Sequence, residues 1–371
     1  MPTLPTHLLT PLFADTVALA RLGLALTEPN PRVGCLLLAP DGRVVGRGHT
    51  QPVGGPHAEV MALRDAAAEG ESTLGAIAIV SLEPCAHQGR TPPCCDALVA
   101  AGVAEVHVAL QDPNPLVAGQ GSARLRAAGV RVFDWPAGPA RDEAEYLNIG
   151  FLSRMRRGRP WVRLKVAITL DGRTALPDGR SQWITGEAAR TDGHAWRRRA
   201  GATLTGVGTV RDDNPRLDVR LVPTPRQPLR VIVDSRLETP PDARILQAPG
   251  GALIFAAQPH IERQAELMLR GAEVAYCANP QGKVDLAEML NELGRRGINE
   301  LHVEAGHQLN GSFVREGLVD EYLVYVAPKL LGLGLPLASL GPLAALSEAP
   351  ALAFHSVTPI GDDLRLLLRP R

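Results

Sequence analysis

Three side chains of the kinds that bind zinc occur in the first third of the chain, at His57, Cys85 and Cys94. A zinc ion that activates water needs three nitrogen or sulfur ligands and one open position for the water. Glu59 lies two residues beyond His57, where a carboxylate can take a proton from that water and deliver it to a substrate. These residue types in this order favour a water-activating zinc site with Glu59 as its proton carrier.

The predicted helices place these residues together. His57 opens one predicted helix, and Cys85 and Cys94 lie at or just before the start of another. Because helix N-termini carry partial positive charge, they favour thiolates over thiols. Each half of the pattern is weak by itself. An H-x-E triplet occurs by chance in many chains, and the two cysteines could also be buried core thiols. Of the neighbours, Cys95 is expected to pack in the core, and His87 is a less favoured alternative ligand.

Helices and strands alternate through the first 150 residues, which predicts one three-layer α/β domain over 1–150. The Asp41-Gly42 pair is a typical hairpin turn between two of the strands. The predicted strands are 33–38, 44–48, 76–81, 105–109 and 130–133, and the predicted helices are 15–26, 57–69, 94–101 and 119–128.

A basic segment over 153–160 separates this domain from a second α/β series, predicted over 158–371. We interpret the segment as a solvated connector, with a phosphate-binding patch as the alternative. The predicted strands of the second series are 161–169, 202–207, 230–234, 252–256, 273–276, 300–303, 321–327 and 364–368, and the helices are 186–199, 259–270, 284–296 and 308–316.

The second half contains no G-x-G-x-x-G motif, so a Rossmann dinucleotide site is disfavoured. Gly206-Val207-Gly208 is more typical of a tight turn than of a phosphate cradle. Glu304-Ala305-Gly306 ends a predicted strand directly before a helix. There the backbone N–H groups could hold a phosphate, or the glycine could be no more than a turn residue.

Composition excludes several classes of protein. Lys plus Arg equals Asp plus Glu, at 39 each, and aromatic residues make up 4%, which argues against a protein that coats nucleic acid. No apolar run approaches the ~18 residues of a membrane span, and the N-terminus does not resemble a signal peptide. Five cysteines are an odd number and too few for a disulfide scaffold. We expect a cytoplasmic protein with no membrane or nucleic-acid partner.

Longer motifs resemble one family. The order H-x-E…P-C…C is the signature of zinc deaminases, and here eight residues separate the cysteines instead of two. The run EPCAHQGRTPPCCDAL over 83–98 is similar to the bifunctional riboflavin-biosynthesis deaminase/reductase family. Further runs resemble that family, namely NPRVG at 30–34 with the preceding Pro29, GPHAEV at 55–60, QDPNP at 111–115 and LNIGF at 147–151.

The resemblance extends over nearly the whole chain and implies roles in the first half. His57, Cys85 and Cys94 would bind zinc, and Glu59 would carry the proton. Substrate would be bound by Asn30 at the pyrimidine and by Arg90 and Thr91 at the ribose phosphate. The segment between His49 and His57 is one residue longer than in the family pattern, which leaves the role of His49 open.

In the second half the runs LDGRT at 170–174, SQWIT at 181–185 and VEAG at 303–306 resemble the family's reductase domain, whose fold is similar to dihydrofolate reductase. The resemblance implies an NADPH site formed by Ala167, Trp183, Thr209, Asp213, Ser235, Gly306, His307, Gln308, Leu309, Asn310, Gly311 and Ser312. It implies a substrate site formed by Ser181, Arg197, Leu217, Arg220 and Glu304. The two arginines suit a phosphate because a guanidinium binds it bidentately. Asp212-Asp213-Asn214-Pro215 departs from the family's Ala-Asp-Asp-Pro, which leaves open which aspartate contacts the cofactor.

The resemblance implies two successive reactions in a homo-oligomeric enzyme. Zinc hydroxide would deaminate 2,5-diamino-6-(5-phosphoribosylamino)pyrimidin-4-one, and NADPH would then reduce the ribosyl group to ribityl. The product would be 5-amino-6-(5-phosphoribitylamino)uracil. One alternative is a nucleic-acid-editing zinc deaminase with an appended binding domain, which zero net charge disfavours. Another is a non-catalytic zinc scaffold, which the presence of Glu59 argues against.

Overall fold

The computed structural model describes residues 3–87, 92–114 and 118–371. The chain divides into two compact units, 1–158 and 159–371. Among the described residues, no helix is both long enough and apolar enough to cross a membrane.

The first unit contains one five-stranded sheet and helices on both of its faces. Its strands are β1 (Gly34–Leu38), β2 (Val44–His49), β3 (Ile77–Val80), β4 (Glu105–Val108) and β5 (Arg131–Asp134), in the order β2-β1-β3-β4-β5. Its helices are α1 (Thr6–Arg21), α2 (Ala58–Ala68), α3 (Cys94–Ala100), α4 (Gln120–Ala127), α5 (Pro139–Leu147) and α6 (Ile149–Arg157). Strand β1 is antiparallel to both neighbours, and β3, β4 and β5 are parallel.

Glycines on the first two strands allow the helices to pack closely. A Cβ on Gly34 would lie 2.1 Å from the carbonyl oxygen of Thr16 in α1, and one on Gly48 would lie 2.2 Å from that of Ala58 in α2. Gly48 pairs with Cys35, the neighbour of Gly34, so the two glycines point to opposite faces of the sheet. Helices α1 and α2 therefore cover opposite faces, as the predicted three-layer arrangement requires.

The segment predicted as a connector is helical over most of its length. Helix α6 continues to Arg157 and ends at Gly158, whose φ of 73° is left-handed. Leu152 and Ser153 are buried, and the arginines of the last turn suit the negative end of the helix dipole. The prediction of a connector was wrong over 153–157, because arginine is a good helix former and one face of the helix is buried.

The second unit is built on a nine-stranded sheet in the order β11-β10-β9-β8-β12-β6-β13-β16-β15. The strands of the unit are β6 (Trp161–Thr169), β7 (Arg173–Ala175), β8 (Ala202–Gly206), β9 (Leu229–Val233), β10 (Ala252–Ala256), β11 (Ala272–Tyr276), β12 (Glu300–Val303), β13 (Glu321–Ala327), β14 (Leu335–Pro336), β15 (Leu352–Ile360) and β16 (Asp363–Pro370). Its helices are α7 (Glu187–Arg199), α8 (Val207–Asp213), α9 (Arg244–Gln247), α10 (Ile261–Leu269), α11 (Leu286–Arg295) and α12 (His307–Arg315). Strands β7 and β14 form a separate pair.

Seven neighbouring strands of this sheet, from β11 to β13, are parallel. The carboxyl ends of parallel strands meet at one edge of a sheet, and ligands of open α/β sheets bind there. Strand β8 leads into α8 at this edge, and β12 leads through Glu304 into α12. The topology therefore gathers Glu304, Gly306 and Thr209 at one end of the sheet.

Candidate active sites

The three predicted zinc ligands lie together in the first unit. The Nδ1 atom of His57 is 3.6 Å from the Sγ atom of Cys85 and 3.3 Å from that of Cys94. The three ligand atoms all lie within 4.8 Å of one another. Zinc–nitrogen bonds of about 2.0–2.1 Å and zinc–sulfur bonds of about 2.3 Å separate such atoms by about 3.6 Å in a tetrahedral site. The donor set and its spacing fit a zinc ion.

The start of α3 positions both cysteine sulfurs. Cys94 is the first residue of α3, and its backbone N–H donates to the Sγ atom of Cys85 at 3.3 Å. A hydrogen bond from the Cys94 thiol and another from His57 lower the pKa of Cys85 to about 4, although burial opposes the shift. The thiolate is the form that binds metal.

Glu59 lies in the first turn of α2, and His57 is the N-cap residue of the same helix. Glu59 is 2% exposed. Burial raises the pKa of its carboxyl, and the negative charge of the nearby Cys85 raises it further. A buried carboxyl group with a raised pKa exchanges protons more readily near neutral pH. The close contact of Gly48 with Ala58 fixes the start of the helix that carries this residue.

The segment that carries Cys85 is held by residues that the sequence analysis missed. The buried carboxylate of Glu83 accepts three backbone N–H groups, those of Asp112 at 3.2 Å, Gly119 at 3.0 Å and Ser122 at 2.9 Å. A Cβ on Gly121 would lie 1.9 Å from the carbonyl oxygen of Pro84, so α4 approaches this segment as closely as glycine allows. Glu83 opens the EPC motif, which was a usable signal, whereas nothing near Gly121 in the sequence indicated its contact.

The loop that carries Asn30 is braced by the end of the first unit. Asn148 accepts the backbone N–H of Arg32 at 2.8 Å and donates to its carbonyl oxygen at 2.9 Å. A guanidinium nitrogen of Arg154 donates to the carbonyl oxygen of Pro29 at 3.1 Å. The motif that contains Asn148 therefore supports the candidate pyrimidine-binding loop, a role that the sequence analysis did not assign.

Two further residues of the predicted substrate site, Arg90 and Thr91, lie outside the described residues. His49 is the last residue of β2, and its Nδ1 atom is 3.1 Å from the carbonyl oxygen of Thr50.

In the second unit a cavity of about 860 Å³ opens at the carboxyl edge of the sheet, within the usual size range of ligand pockets. The structure brings most of the predicted residues to its wall: Ala167, Ser181, Trp183, Arg197, Thr209, Asp213, Leu217, Arg220, Glu304, Gly306, His307, Gln308 and Leu309. Both Asp212 and Asp213 line it, so the choice between them stays open.

Four other predicted residues are not among the lining residues of this cavity as the described chain defines it: Ser235, Asn310, Gly311 and Ser312. The hydroxyl of Ser235 accepts the backbone N–H of Val284 at 3.2 Å. Asn310 is buried and donates to the carbonyl oxygen of Leu337 at 3.0 Å. A Cβ on Gly311 would lie 2.2 Å from the carbonyl oxygen of Ser339, and Ser312 donates to Gln308 at 3.4 Å.

The wall of the cavity offers donors that fit a dinucleotide phosphate. Gly306 is the N-cap of α12, so the free N–H groups of that helix begin at the cavity. A Cβ on Gly306 would lie 3.6 Å from the hydroxyl of Thr209, which is ordinary contact. Arg216 and Arg244 also line the cavity. This combination fits NADPH.

A partly buried ion cluster forms part of the cavity wall. Glu304 lies 3.4 Å from the ammonium of Lys165 and 3.0 Å from the guanidinium of Arg197, which also contacts it through Nε. Burial favours the neutral carboxyl, but Arg197 and Lys165 hold the pKa of Glu304 well below its usual range. The sequence analysis did not name Lys165, although it is one of only three lysines in the chain.

The segment around Trp183 is held over the same cavity. The guanidinium of Arg190 lies 4.6 Å from the centre of the Trp183 ring, and the ring is 62% exposed. Lys329 donates to the carbonyl oxygens of Trp183 at 3.2 Å and Ile184 at 2.9 Å. A flat, exposed ring on a fixed backbone suits stacking against a planar ligand.

Two family models match the chain, one in each unit. The family model for the cytidine and deoxycytidylate deaminase zinc-binding region matches residues 12–110, and that for the RibD C-terminal domain matches residues 160–366. The riboflavin biosynthesis protein RibD of Escherichia coli is 44% identical over 368 residues, covering 96% of this chain and 97% of that protein. The RibD of Aquifex aeolicus is 39% identical and covers 95% of this chain and 96% of that protein.

Two solved structures match the fold along the chain. Acinetobacter baumannii RibD has a TM-score of 0.88 at 39% identity, covering 99% of this chain and 100% of that chain. A deaminase/reductase from Thermotoga maritima has a TM-score of 0.87 at 31% identity and covers 99% of each chain. The predicted resemblance and the predicted deaminase-plus-reductase fold are confirmed. Identity at this level over almost the whole of each relative means that the chain belongs to the RibD family of riboflavin biosynthesis proteins, as a bifunctional enzyme with a zinc-binding deaminase domain and an NADPH-dependent reductase domain.

Proposed function

We propose that this enzyme deaminates 2,5-diamino-6-(5-phosphoribosylamino)pyrimidin-4-one and then reduces the ribosyl group of the product to ribityl, giving 5-amino-6-(5-phosphoribitylamino)uracil. The observation that carries this proposal is the His57, Cys85 and Cys94 triad with Glu59 buried beside it, in one chain with the Glu304-centred cavity. The Thermotoga maritima relative is described as a diaminohydroxyphosphoribosylaminopyrimidine deaminase and 5-amino-6-(5-phosphoribosylamino)uracil reductase.

In the deaminase unit His57, Cys85 and Cys94 would hold the zinc, which when bound makes water a nucleophile at neutral pH. Glu59 accepts a proton from the water and passes it to the leaving amino group, so that water and amine become carbonyl and ammonia. Asn30 binds the pyrimidine from a loop that Asn148 braces. We assign the binding of the ribose phosphate to Arg90 and Thr91, as the family resemblance implies.

In the reductase unit a bound NADPH would supply a hydride to C1 of the ribosyl group, and the ring would open as its oxygen takes up a proton from solvent. We assign its binding to Ala167, Trp183, Thr209, Asp213, Ser235 and the segment 306–312. Glu304 already binds the guanidinium of Arg197, so this pair shapes the substrate site together with Ser181 and Leu217. The side chain of Arg220 is 48% exposed, and it is our choice as the phosphate-binding cation.

Two properties of the whole protein extend the proposal. We propose a homo-oligomer, since Phe354 and Val357 on β15 are 68% and 54% exposed, and the particle mass in solution tests it. We propose a cytoplasmic location, because none of the five cysteines forms a disulfide and a reducing compartment keeps cysteines in that state.

The test is an assay of the purified protein on the diaminopyrimidine phosphate, with and without NADPH. Without NADPH we expect ammonia and the deaminated ribosyl compound, and with NADPH we expect the ribityl compound. Removal of zinc by a chelator should abolish the first reaction and leave reduction of the supplied intermediate intact. Absence of ammonia release by the zinc-loaded protein would refute the deaminase assignment.

A further inference from the structure

His194 lines the reductase cavity, and neither the motifs nor the family resemblance assigned it a role. It lies on α7, three residues before Arg197, and its side chain is 4% exposed. A histidine buried in a ligand cavity needs a partner for each ring nitrogen. The partners of the two ring nitrogens therefore indicate which nitrogen carries the proton and which group could bind there.

One ring nitrogen has a partner that fixes the position of the proton. The backbone N–H of Arg220 points at the Nδ1 atom of His194 at 3.1 Å. A backbone N–H can only donate, so Nδ1 must accept and carries no proton. Burial, Arg197 and Arg220 lower the pKa of His194 to about 4, so the ring is neutral near pH 7. A neutral imidazole with a bare Nδ1 carries its proton on Nε2.

The other nitrogen faces a second donor. Among the described residues, the polar atom within hydrogen-bond distance of Nε2 is Nη1 of Arg197, at 3.5 Å. Arginine has no acceptor atom, and an Nε2 that carries a proton cannot accept from it. An N–H on a cavity-lining ring that faces another donor has no acceptor there, and an oxygen atom of a ligand in the cavity would supply one.

The charges around His194 select the kind of oxygen. Among the described residues, the positive charges of Arg197 and Arg220 act on His194 and help to lower its pKa, and the side chain of Arg220 is 48% exposed. The nearby carboxylates already have cationic partners. Glu304 is bound by Arg197 and Lys165, and Asp218 is bound by Arg216 and Arg220. A donor flanked by cations favours an anionic oxygen.

We propose that His194 is a substrate-binding residue of the reductase, whose Nε2–H donates a hydrogen bond to a phosphate oxygen of the phosphopentose substrate. The inference rests on the proposed function, because that function supplies the phosphorylated sugar. It adds a neutral donor to a phosphate site that the sequence motifs assigned to arginines alone.

Two substitutions separate the two ring nitrogens. In His194→Asn the side-chain oxygen can occupy the place of Nδ1 and accept from Arg220, but nothing replaces the Nε2–H. In His194→Gln the amide nitrogen can reach the place of Nε2 and donate to the phosphate. Hydrogen bonds to charged groups contribute enough to change affinity about ten- to a hundredfold.

The experiment measures steady-state reduction by the full-length enzyme and both variants. Each is tested with 5-amino-6-(5-phosphoribosylamino)uracil and with the analogue that lacks the phosphate. We expect His194→Asn to raise the KM for the phosphorylated substrate about ten- to a hundredfold, and His194→Gln to stay within about threefold of wild type. Neither substitution should change the KM for the dephosphorylated analogue. Deamination by the same chains and their thermal midpoints report whether the variants fold.

Three outcomes would overturn the inference: wild-type KM in His194→Asn, a larger loss in His194→Gln than in His194→Asn, or equal losses with both substrates. The last two would mean that His194 acts through the Arg220 backbone or on another part of the substrate. Failure of the wild-type enzyme to reduce the phosphorylated compound at all would instead refute the proposed function.

Discussion

The two candidate sites are built in different ways. In the first unit, two helix starts and one loop bring three ligand atoms to within 4.8 Å of one another, so the site is small and its residue types follow from the chemistry of zinc. In the second unit, a cavity of about 860 Å³ is lined by the ends of several strands, the helices that follow them and a long loop. A metal site limits the types of residue that can serve as ligands. A cavity depends instead on the path of the backbone around it, and many residue types can line it.

The charges differ in the same sense. The deaminase site brings two cysteine sulfurs, a histidine nitrogen and one buried carboxyl around a space that fits a cation. The reductase site already contains its own counterions, since Glu304 is bound by Arg197 and Lys165. Loss of one zinc ligand should therefore abolish metal binding in the first unit. A single substitution in the second unit should only reduce stability or ligand affinity.

The largest effect is expected from Cys85→Ala. One of three zinc ligands is lost, so zinc content should fall to near zero and deamination should disappear, while reduction continues. Metal analysis and both assays on one preparation measure this. Cys95→Ala is the matched control, because the Cys95 thiol points to Asp96 and not to the triad. Unchanged zinc in Cys85→Ala would contradict the ligand assignment.

Glu59→Gln should separate metal binding from proton transfer within the first unit. The amide keeps the size of the side chain but cannot carry the proton, so we expect deamination to fall by roughly 10²–10⁴-fold with zinc retained. Reduction by the same protein serves as the internal control. Deamination within a few fold of wild type would remove Glu59 from the mechanism.

Arg197→Met should test whether the second unit depends on its internal counterions. Glu304 is 13% exposed and keeps Lys165 at 3.4 Å. Removal of Arg197 should therefore destabilise this unit by less than the ~3–5 kcal/mol of a buried charge left with no partner, measured by urea unfolding near pH 7. Glu304→Gln added to Arg197→Met should recover part of the loss. If the single variant is as stable as wild type, the pair is not structural.

The same pair gives this destabilisation a pH dependence. The pKa of Glu304 is depressed in the folded protein, so the stabilisation is complete above its unfolded pKa of about 4.3. It is lost as pH falls through the lower folded pKa, and the difference between wild type and Arg197→Met should shrink there. A difference that stays constant from pH 7 to acid would argue against this charge interaction.

Asn148→Ala should show that the deaminase site also depends on a distant contact. It removes two hydrogen bonds to the backbone of Arg32, and we expect the KM for deamination to rise about tenfold with zinc and reduction unchanged. Asn148→Asp keeps the acceptor for the Arg32 N–H and should lie in between. A wild-type KM in Asn148→Ala would show that the loop needs no brace.

Gly306→Val should have the smallest effect. Gly306 has φ of −72°, which any residue adopts, so the side chain costs no backbone strain and stability should not change. Bulk at the start of α12 should crowd the phosphate and raise the KM for NADPH severalfold, with a smaller rise in Gly306→Ala. Parallel loss of deamination would show that the two units are not independent.

Several strands of the second unit were predicted to the residue, including β6, β10, β12 and β13. They are buried apolar runs bounded by turn residues, and such runs are recognisable without tertiary context. Strand β15 was missed because it contains Pro359 and is an edge strand with exposed apolar residues.

Helices were harder to predict where prolines or arginines interrupted the apolar periodicity of the sequence. Helix α1 starts at Thr6 and not at the predicted residue 15, and it runs through Pro11. Burial of Leu9 and Phe13 outweighs the hydrogen bond that the proline cannot make. Helix α5 was missed although Pro139 at its first position is a known start signal.

The sequence by itself determined the deaminase chemistry, because zinc accepts few ligand types and their order along the chain is readable. Tertiary structure decided the supports and the reductase site. Asn148 braces Arg32 across 116 residues, and Arg197 binds Glu304 across 107. The assignment of the His194 proton to Nε2 depends on the Arg220 backbone N–H at the other ring nitrogen, a contact across 26 residues. Such contacts depend on where the sheet brings the chain together, and no local pattern of residues encodes that.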